Sequence, residues 1–207
     1  MATQEERRTG TRARLIDAAT AVLTEAGAHG FTTTEVGKRA GLSQGAVFRH
    51  FATKADLLAA TVESIFDGLV DRYQHEFASR APRMGADPGD RLDASLDLLW
   101  EIFQDPQLLA AYDLFTASRT DPDLQADLQP VVRAHVQRLH DLTELYLVDL
   151  VLVDADQLHA AVDLVAATMQ GLVINRLAVA DRDVEDRVRS LLRSSMKARL
   201  LAMEVSS

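Results

Sequence analysis

The segment from Gly30 to Leu58 constrains the fold more than any other part of this 207-residue chain. Thr32 followed three positions later by Glu35 is a capping box, which predicts that a helix starts there. Gly41 can adopt a positive φ, so it predicts the end of that helix after about two turns. Ser43 is a favourable N-cap for a second short helix. The segment therefore predicts two short helices joined by a tight turn.

The second short helix has two contrasting faces. Over residues 44–51, Val47, Phe48 and Phe51 are predicted to form the inward stripe. The outward set is small, polar or cationic: Gln44, Gly45, Ala46, Arg49 and His50. A helix entering the DNA major groove, about 12 Å wide, needs small residues at its leading end, donors for base edges and cations for phosphates. Thr53 and Asp56 then predict the cap of a long third helix.

The stretch from Val36 to Leu58 resembles the signature of the tetracycline-repressor (TetR) family of bacterial transcriptional regulators. The resemblance rests on the pattern AGxSxGxx-aromatic-xHF followed by KxxLL, and it covers about the first quarter of the chain. By position it implies base or phosphate contacts for Ser43, Gln44 and Ala46, phosphate contacts for His50 and Lys54, and a backbone approach at Thr33. With the outward face, the predicted DNA-binding set is Thr33, Ser43, Gln44, Gly45, Ala46, Phe48, Arg49, His50 and Lys54.

Two residues depart from the pattern of that family. Phe48 stands where a tyrosine is usual, so it can pack but cannot donate a hydrogen bond. Gly37 replaces a usual alanine, which costs about 1 kcal/mol of helix propensity. Neither change breaks the motif, but both leave the half-site sequence open.

Charge is divided unevenly along the chain. Counted on the sequence, residues 1–56 carry +2 and residues 57–207 carry −11, within a whole-chain charge of −9. A mildly basic head on an acidic body presents one end to the phosphate backbone. The chain has no cysteine, which excludes disulfides and thiolate metal clusters. We expect a cytoplasmic protein, because no apolar run approaches a membrane span and the N-terminus lacks the hydrophobic region of a signal peptide.

Four arginines precede or open the first helix: Arg7, Arg8, Arg12 and Arg14. They would allow an arm that touches the minor groove. The alternative is a solvated, frayed terminus, since chain termini are often disordered.

The remaining pattern is helical, and it predicts an all-α fold of about nine helices. A first helix is expected from about Thr11 to Ala26, ending at Gly27, and a long helix from Thr53 to about Ser79. Further helices are predicted at about 90–104, 106–118, 122–150, 155–180 and 183–204, with a kink at Pro130 and a loop over residues 81–89. We divide the chain into a helix-turn-helix DNA-binding domain, residues 1–56, and a helical effector-binding and dimerisation domain, residues 57–207.

The last two helices carry apolar residues spaced alternately four and three apart, as in helices that pack nearly parallel in a bundle. The family resemblance implies a homodimer built on such helices. The predicted interface comprises Leu158, Val162, Val165, Met169, Leu172, Val188, Leu191, Ser195, Ala198 and Ala202. Amphipathic spacing alone leaves open the alternative of burial inside one subunit.

Aromatic and polar residues in the middle of the chain suggest a site for a small-molecule effector. The candidates are Trp100, Phe103, Tyr112, Phe115, His135 and Asn175. His135 lies on an otherwise apolar face, where it could anchor a ligand or serve as a hydrogen-bonded core histidine. Gly171, on the same helix as Asn175, would be explained by a ligand or a partner helix that comes close.

These features predict a dimeric transcriptional regulator, most simply a repressor that leaves a palindromic double-stranded DNA operator when an effector binds. The alternative is a constitutive DNA-binding dimer whose body serves only dimerisation or a protein partner. An enzyme is not expected, because no nucleophile motif, phosphate loop or dinucleotide fingerprint is present. No cofactor or metal is predicted. His159 and Asp163 lie four residues apart, but no further ligand stands nearby in sequence.

Overall fold

The computed structural model describes residues 3–80, 87–146, 155–179 and 181–204. These residues form nine helices and no strand, which confirms the predicted all-α fold. The helices are α1 (Gln4–Gly30), α2 (Thr33–Arg39), α3 (Gln44–Val47), α4 (Lys54–Arg80), α5 (Pro88–Phe103), α6 (Pro106–Ser118), α7 (Pro122–Tyr146), α8 (Ala155–Ala178) and α9 (Arg182–Glu204). Residues 81–86 of the predicted loop and 147–150 of the predicted seventh helix lie outside the described residues.

Helix α1 starts earlier than predicted because Thr3 and Glu6 form a capping box. The backbone N–H of Glu6 donates to Thr3 Oγ1 at 3.1 Å, and that of Thr3 donates to Glu6 Oε2 at 2.7 Å. The predicted end at Gly27 is a kink with φ 64°, after which the helix continues to Gly30. The four N-terminal arginines therefore lie on this helix and not on a frayed terminus. Their contact with the minor groove stays a prediction.

Polar N-caps start most of the other helices, as the sequence predicts. Thr32 accepts a hydrogen bond from the N–H of Glu35, and Thr53 accepts one from that of Asp56. The predicted Asp-Pro starts at α6 and α7 are confirmed, with Asp105 and Asp121 as acceptors. Helix α5 is capped in the same way by Asp87 and starts at Pro88, two residues before its predicted start.

The chain forms two compact units. Unit 1 comprises Met1–Leu69 and Asp105–His135, and unit 2 comprises Val70–Gln104 and Val136–Ser207. In unit 1, α1 packs against both α2 and α6. Its core includes fully buried Leu15, Val36, Val47, Phe51 and Leu57. The helix-turn-helix segment and helix α6 therefore share one unit.

Candidate nucleic-acid interface, effector site and partner surface

Helix α3 is a single turn capped by Ser43, whose Oγ accepts a hydrogen bond from the N–H of Ala46 at 3.2 Å. Gln44, Gly45 and Arg49 are exposed, as predicted. Ala46 and Phe48 exchange their predicted places: Ala46 is buried, whereas Phe48 is 45% exposed. At about 100° per residue, positions 44 and 48 share one side of the turn and 45 and 49 lie next to them. The outward face is therefore Gln44, Gly45, Phe48 and Arg49.

Helix α2 supports this face through Thr33. The Thr33 residue is only 7% exposed, and its Oγ1 accepts a hydrogen bond from Gln44 Nε2 at 3.1 Å. The hydroxyl predicted to approach the DNA backbone thus positions the Gln44 amide. His50 is half-buried, and Ser43 and Lys54 are exposed.

The turn between α2 and α3 depends on two glycines. Gly41 has φ 68°, and its N–H donates to the carbonyl of Lys38 at 3.1 Å. Gly37 is buried where the helices approach closely: a Cβ there would lie 3.0 Å from the carbonyl oxygen of Leu42 and 3.3 Å from Val47 Cγ2. The departure from the usual alanine therefore accompanies a tight fit of α3 against α2.

Several cations of the head make contacts within the chain. Arg39 donates to both carboxylate oxygens of Glu25, at 2.7 and 2.6 Å, which lowers the pKa of Glu25 below its usual value. Arg14 donates to the carbonyl of Ala40, and the Arg12 guanidinium lies 5.1 Å from the Phe51 ring centroid. The contacts of these three arginines connect α1 to the helix-turn-helix segment.

Three predicted effector residues come together in unit 1, around Phe66 of α4. The His135 ring stacks on Phe66 at 3.9 Å between centroids, and Phe115 lies 6.3 Å from Phe66. Tyr112 adjoins Phe115 at 5.8 Å. Burial raises the pKa of Tyr112 well above its usual range, so its phenol stays neutral and can donate a hydrogen bond. We call these four residues the α6 aromatic cluster.

The other three predicted effector residues belong to unit 2. Trp100 is 6% exposed, with the guanidinium carbons of Arg176 and Arg189 lying 5.1 and 4.7 Å from its ring centroid. Phe103 is half-buried, and Asn175 is exposed on α8. The contacts of Trp100 are those of a packed core residue.

A cleft of about 610 Å3 lies in unit 1, away from the predicted effector residues. Leu58, Leu114 and Leu124 contribute apolar walls, and Lys54 and Asp127 are among its charged groups. None of the predicted effector residues lines it. Its walls come from α1, α4, α6 and α7, so no local sequence pattern indicates it.

Burial within the chain divides the predicted dimer interface. Val165, Met169 and Leu172 are buried within the subunit, which agrees with the alternative of burial inside one subunit. The spacing did not separate the two possibilities, because a stripe covered within the subunit has the same spacing as one covered by a partner. Leu158, Val162, Val188 and Ser195 are half-buried, Leu191 and Ala198 are exposed, and the Ala202 side chain lies outside the described part of the chain.

A different stripe of α8 is exposed and apolar. It comprises Leu164, Ala167, Gly171, Ile174 and Ala178. Their spacing of three and four places them on one side of the helix. A Cβ at Gly171 would contact nothing within 4 Å, so packing inside the subunit does not account for this glycine. We call this stripe the α8 outer face.

The same helix corrects the expectation that no segment reaches membrane length. Helix α8 is long and apolar enough to cross a membrane, with a mean hydropathy of 1.3 over its best 18-residue window, of which 28% is buried. A helix covered by a partner subunit has the same composition. Helix α8 alone therefore does not indicate a membrane protein.

Comparison with known proteins assigns both parts of the chain. Residues 15–61 match the family described as bacterial regulatory proteins, tetR family, and residues 86–198 match the tetracyclin repressor-like C-terminal domain. The HTH-type transcriptional regulator CymR of Pseudomonas putida is 32% identical over 188 residues, covering 91% of this chain and 90% of the relative. An uncharacterized HTH-type transcriptional regulator of Mycobacterium tuberculosis is 34% identical over 67% of this chain and 69% of its own length.

Solved structures share the fold. A transcriptional regulator from Rhodococcus sp. RHA1 has a TM-score of 0.67 at 23% identity, covering 92% of this chain and 96% of its own. The multidrug binding protein EbrR, solved with imidazole, has a TM-score of 0.64 at 24% identity, covering 91% of this chain and 93% of its own. At these identities the likeness concerns the fold.

Proposed function

Because the chain belongs to the TetR family of bacterial regulatory proteins, and is thus a DNA-binding transcriptional regulator, we propose that it is a dimeric repressor released from its operator by a small molecule. The observation that carries the DNA-binding part is the outward face of α3. Gln44, Gly45, Phe48 and Arg49 lie on one exposed side of a capped turn that Thr33 and Gly37 hold against α2. A regulator of this kind acts where the chromosome lies, in the cytoplasm.

The chemistry of this face suits direct contact with DNA. The Gln44 amide carries the donor and acceptor that pair with adenine in the major groove. Gly45 has no side chain, so α3 can approach closely, and Phe48 can contact a thymine methyl group. Arg49 supplies a cation for phosphate or guanine. Ser43, His50 and Lys54 are assigned to phosphate contacts at the edge of the face.

We assign the dimer interface to the α8 outer face together with the exposed residues of α9, Leu191 and Ala198. Leu164 and Ile174 are 47% and 43% exposed, and Leu191 is 69% exposed. Exposed apolar side chains on one helix face favour a partner surface over solvent. The open space at Gly171 lets a second copy of α8 approach closely. Two heads in a symmetric dimer then require a palindromic operator with half-sites about 34–36 Å apart.

The effector site is assigned to the α6 aromatic cluster. Tyr112 and Phe115 lie on α6, and α6 packs against α1 within unit 1. Within this contact, a Cβ on Gly27 of α1 would lie 3.2 Å from Asp113 Oδ2 of α6. A ligand that inserts between Phe66 and Phe115 must displace α6, and α1 moves with it. The population then shifts to a state in which the two heads no longer match the operator spacing.

Two observations favour the constitutive alternative, in which no effector exists. Trp100 is covered by Arg176 and Arg189, and the unit 1 cleft is lined by residues other than the predicted aromatic ones. Under this alternative the α6 aromatic cluster is a filled core. Phe115→Ala separates the two. If the cluster binds the effector, the variant no longer leaves the operator when the ligand is added, and if the cluster is a filled core, the variant only loses stability.

The test of DNA binding begins with selection of duplexes from a random library by the full chain. The selected duplex is then titrated with wild type and Arg49→Ala over a range of salt concentrations. We expect Arg49→Ala to bind the duplex more weakly. The slope of log affinity against log salt concentration should also become less steep, by the amount expected for the loss of about one phosphate contact. Arg133→Ala removes an equal charge from an exposed position on α7 and serves as the matched control. Equal binding by all three proteins would refute the assignment of α3.

A further inference from the structure

Helices α7 and α8 carry the same local pattern, a histidine followed four residues later by a carboxylate. The pairs are His140 with Glu144 on α7, and His159 with Asp163 on α8. Residues four apart lie on one helix face, so each helix presents a nitrogen and an oxygen donor together. Both pairs belong to unit 2.

The two pairs meet crosswise. His140 Nε2 lies 2.9 Å from Asp163 Oδ1, and His159 Nε2 lies 2.7 Å from Glu144 Oε1. Between these contacts the imidazole rings stack at 4.1 Å, with an interplanar angle of 5°. The two contacts span 23 and 15 residues of sequence, which is why the sequence alone offers only half of the group.

The carboxylate partners favour one tautomer of each imidazole. An ionised carboxylate only accepts hydrogen bonds, so each Nε2 carries the hydrogen that it donates. The histidine side chains are 12% and 25% exposed, whereas Asp163 and Glu144 are 59% and 49% exposed. The carboxylates thus lie at the surface, and the two imidazoles are partly covered beside them.

We propose that His140, Glu144, His159 and Asp163 bind one divalent transition-metal ion of the Zn2+ class. Two imidazoles and two carboxylates are a donor set that such ions accept. In each neutral imidazole the hydrogen would move from Nε2 to Nδ1, which leaves the Nε2 lone pair for the ion. In a tetrahedral site with ligands about 2.0–2.1 Å from the ion, neighbouring donor atoms lie about 3.3 Å apart. The nitrogen–oxygen distance in each crosswise pair is within about 0.6 Å of that separation.

Binding requires one rearrangement. In the described part of the chain, no three of these donors surround a common point, because the rings lie face to face. Rotation about the histidine side-chain bonds would take the rings out of the stack and direct both Nε2 atoms at the ion. The bound ion ties α7 to α8 with four bonds where two hydrogen bonds stood. Metal binding would therefore stabilise unit 2 against heat.

The test uses the full chain, freed of metal by a chelator and titrated with Co2+ alone. The chain has no cysteine, so thiolates do not contribute to the visible spectrum. We expect one Co2+ per chain, the intense visible bands of a low-coordinate site, displacement by Zn2+ and a raised melting temperature. Glu144→Gln and His159→Gln should each weaken binding at least about tenfold. His75→Gln, which removes an exposed histidine from α4, should bind as wild type.

Each outcome decides the proposal. Wild type that binds no Co2+ at micromolar concentration overturns it, whether or not the variants fold. Equal Co2+ affinity in wild type and either ligand variant also overturns it. The same holds if His75→Gln loses as much Co2+ affinity as the ligand variants. The group would then be a hydrogen-bonded histidine pair that joins α7 to α8. Because the readout is metal binding, DNA binding by the same protein is not at issue in this experiment.

Discussion

The same substitution, glycine to alanine, should change stability in opposite directions at Gly41 and Gly68. Gly41 has φ 68°, whereas Gly68 lies within α4. Both are exposed, and a Cβ at either position would contact nothing within 4 Å. Packing is therefore equal, and the backbone conformation alone decides the sign.

The magnitudes follow from general backbone energetics. An alanine in the left-handed region costs about 1–2 kcal/mol, and a smaller gain from the less flexible unfolded chain offsets part of this cost. Gly41→Ala should thus lose about 1 kcal/mol of unfolding free energy, or roughly 2–4 °C of melting temperature for a chain of this size. Gly68→Ala should gain about 0.8–1 kcal/mol, because alanine is the better helix former.

Urea unfolding monitored by circular dichroism measures both variants against wild type. Gly41→Asn is the control for the mechanism, since asparagine tolerates the left-handed region and should lose less than alanine. A Gly41→Ala protein as stable as wild type, or as stabilised as Gly68→Ala, would refute the left-handed turn. The close packing of α3 on α2 would then need another explanation.

Three further predictions concern the partner surface, the DNA-binding face and the head. Gly171→Ala should raise the dimer dissociation constant at least about tenfold by overpacking the interface, and an unchanged dimer in sedimentation equilibrium would place the interface elsewhere. Phe48→Tyr adds a hydroxyl that reaches a phosphate, so operator affinity in gel-shift titrations should rise by up to about tenfold; no gain would remove Phe48 from the DNA face. Arg39→Gln should destabilise the head at neutral pH, but by less as pH falls below the ordinary glutamate value of 4.5. The pKa of Glu25 is lowered in the folded chain, so the stabilisation is present above the unfolded pKa and lost as pH falls through the folded one. A difference in unfolding free energy that is constant with pH would contradict this assignment.

Helix starts were predictable because their signals are local. Thr32, Thr53, Asp105 and Asp121 each place a side-chain oxygen within reach of a backbone N–H two or three residues later, and the structure contains these hydrogen bonds. The start at Asp87 carries the same Asp-Pro pattern, which we assigned to a loop because of the surrounding proline and glycine residues. The proline and glycine content of that segment favoured a loop, whereas the Asp-Pro capping pattern correctly indicated a helix start.

The faces of α3 and α8 were harder to predict, for different reasons. A single turn such as α3 has too few residues for periodicity, so the small Ala46 was placed outside and the large Phe48 inside. Helix α8 has apolar residues on more than one side, and the sequence does not say which stripe the subunit itself covers. Met169 turned inward and Leu164 outward because α8 packs against α5 and α9.

Contacts between distant parts of the chain gave no sequence signal. Trp100 packs beneath two arginines that follow it by 76 and 89 residues, and His140 meets Asp163 across a helix boundary. Such pairs depend on helix register and crossing, which local patterns do not determine. The helix starts of the head, whose capping hydrogen bonds span three residues, were correspondingly predictable.

The central claim, that the outward face of α3 reads base sequence, is tested most directly by the specificity of Gln44→Ala. The measurement is the ratio of affinities for the selected duplex and for a scrambled duplex of equal length, at one salt concentration. We predict that the ratio falls about 5- to 150-fold, as expected for loss of one base contact worth about 1–3 kcal/mol, while binding to the scrambled duplex is unchanged. A ratio equal to that of wild type would contradict the account.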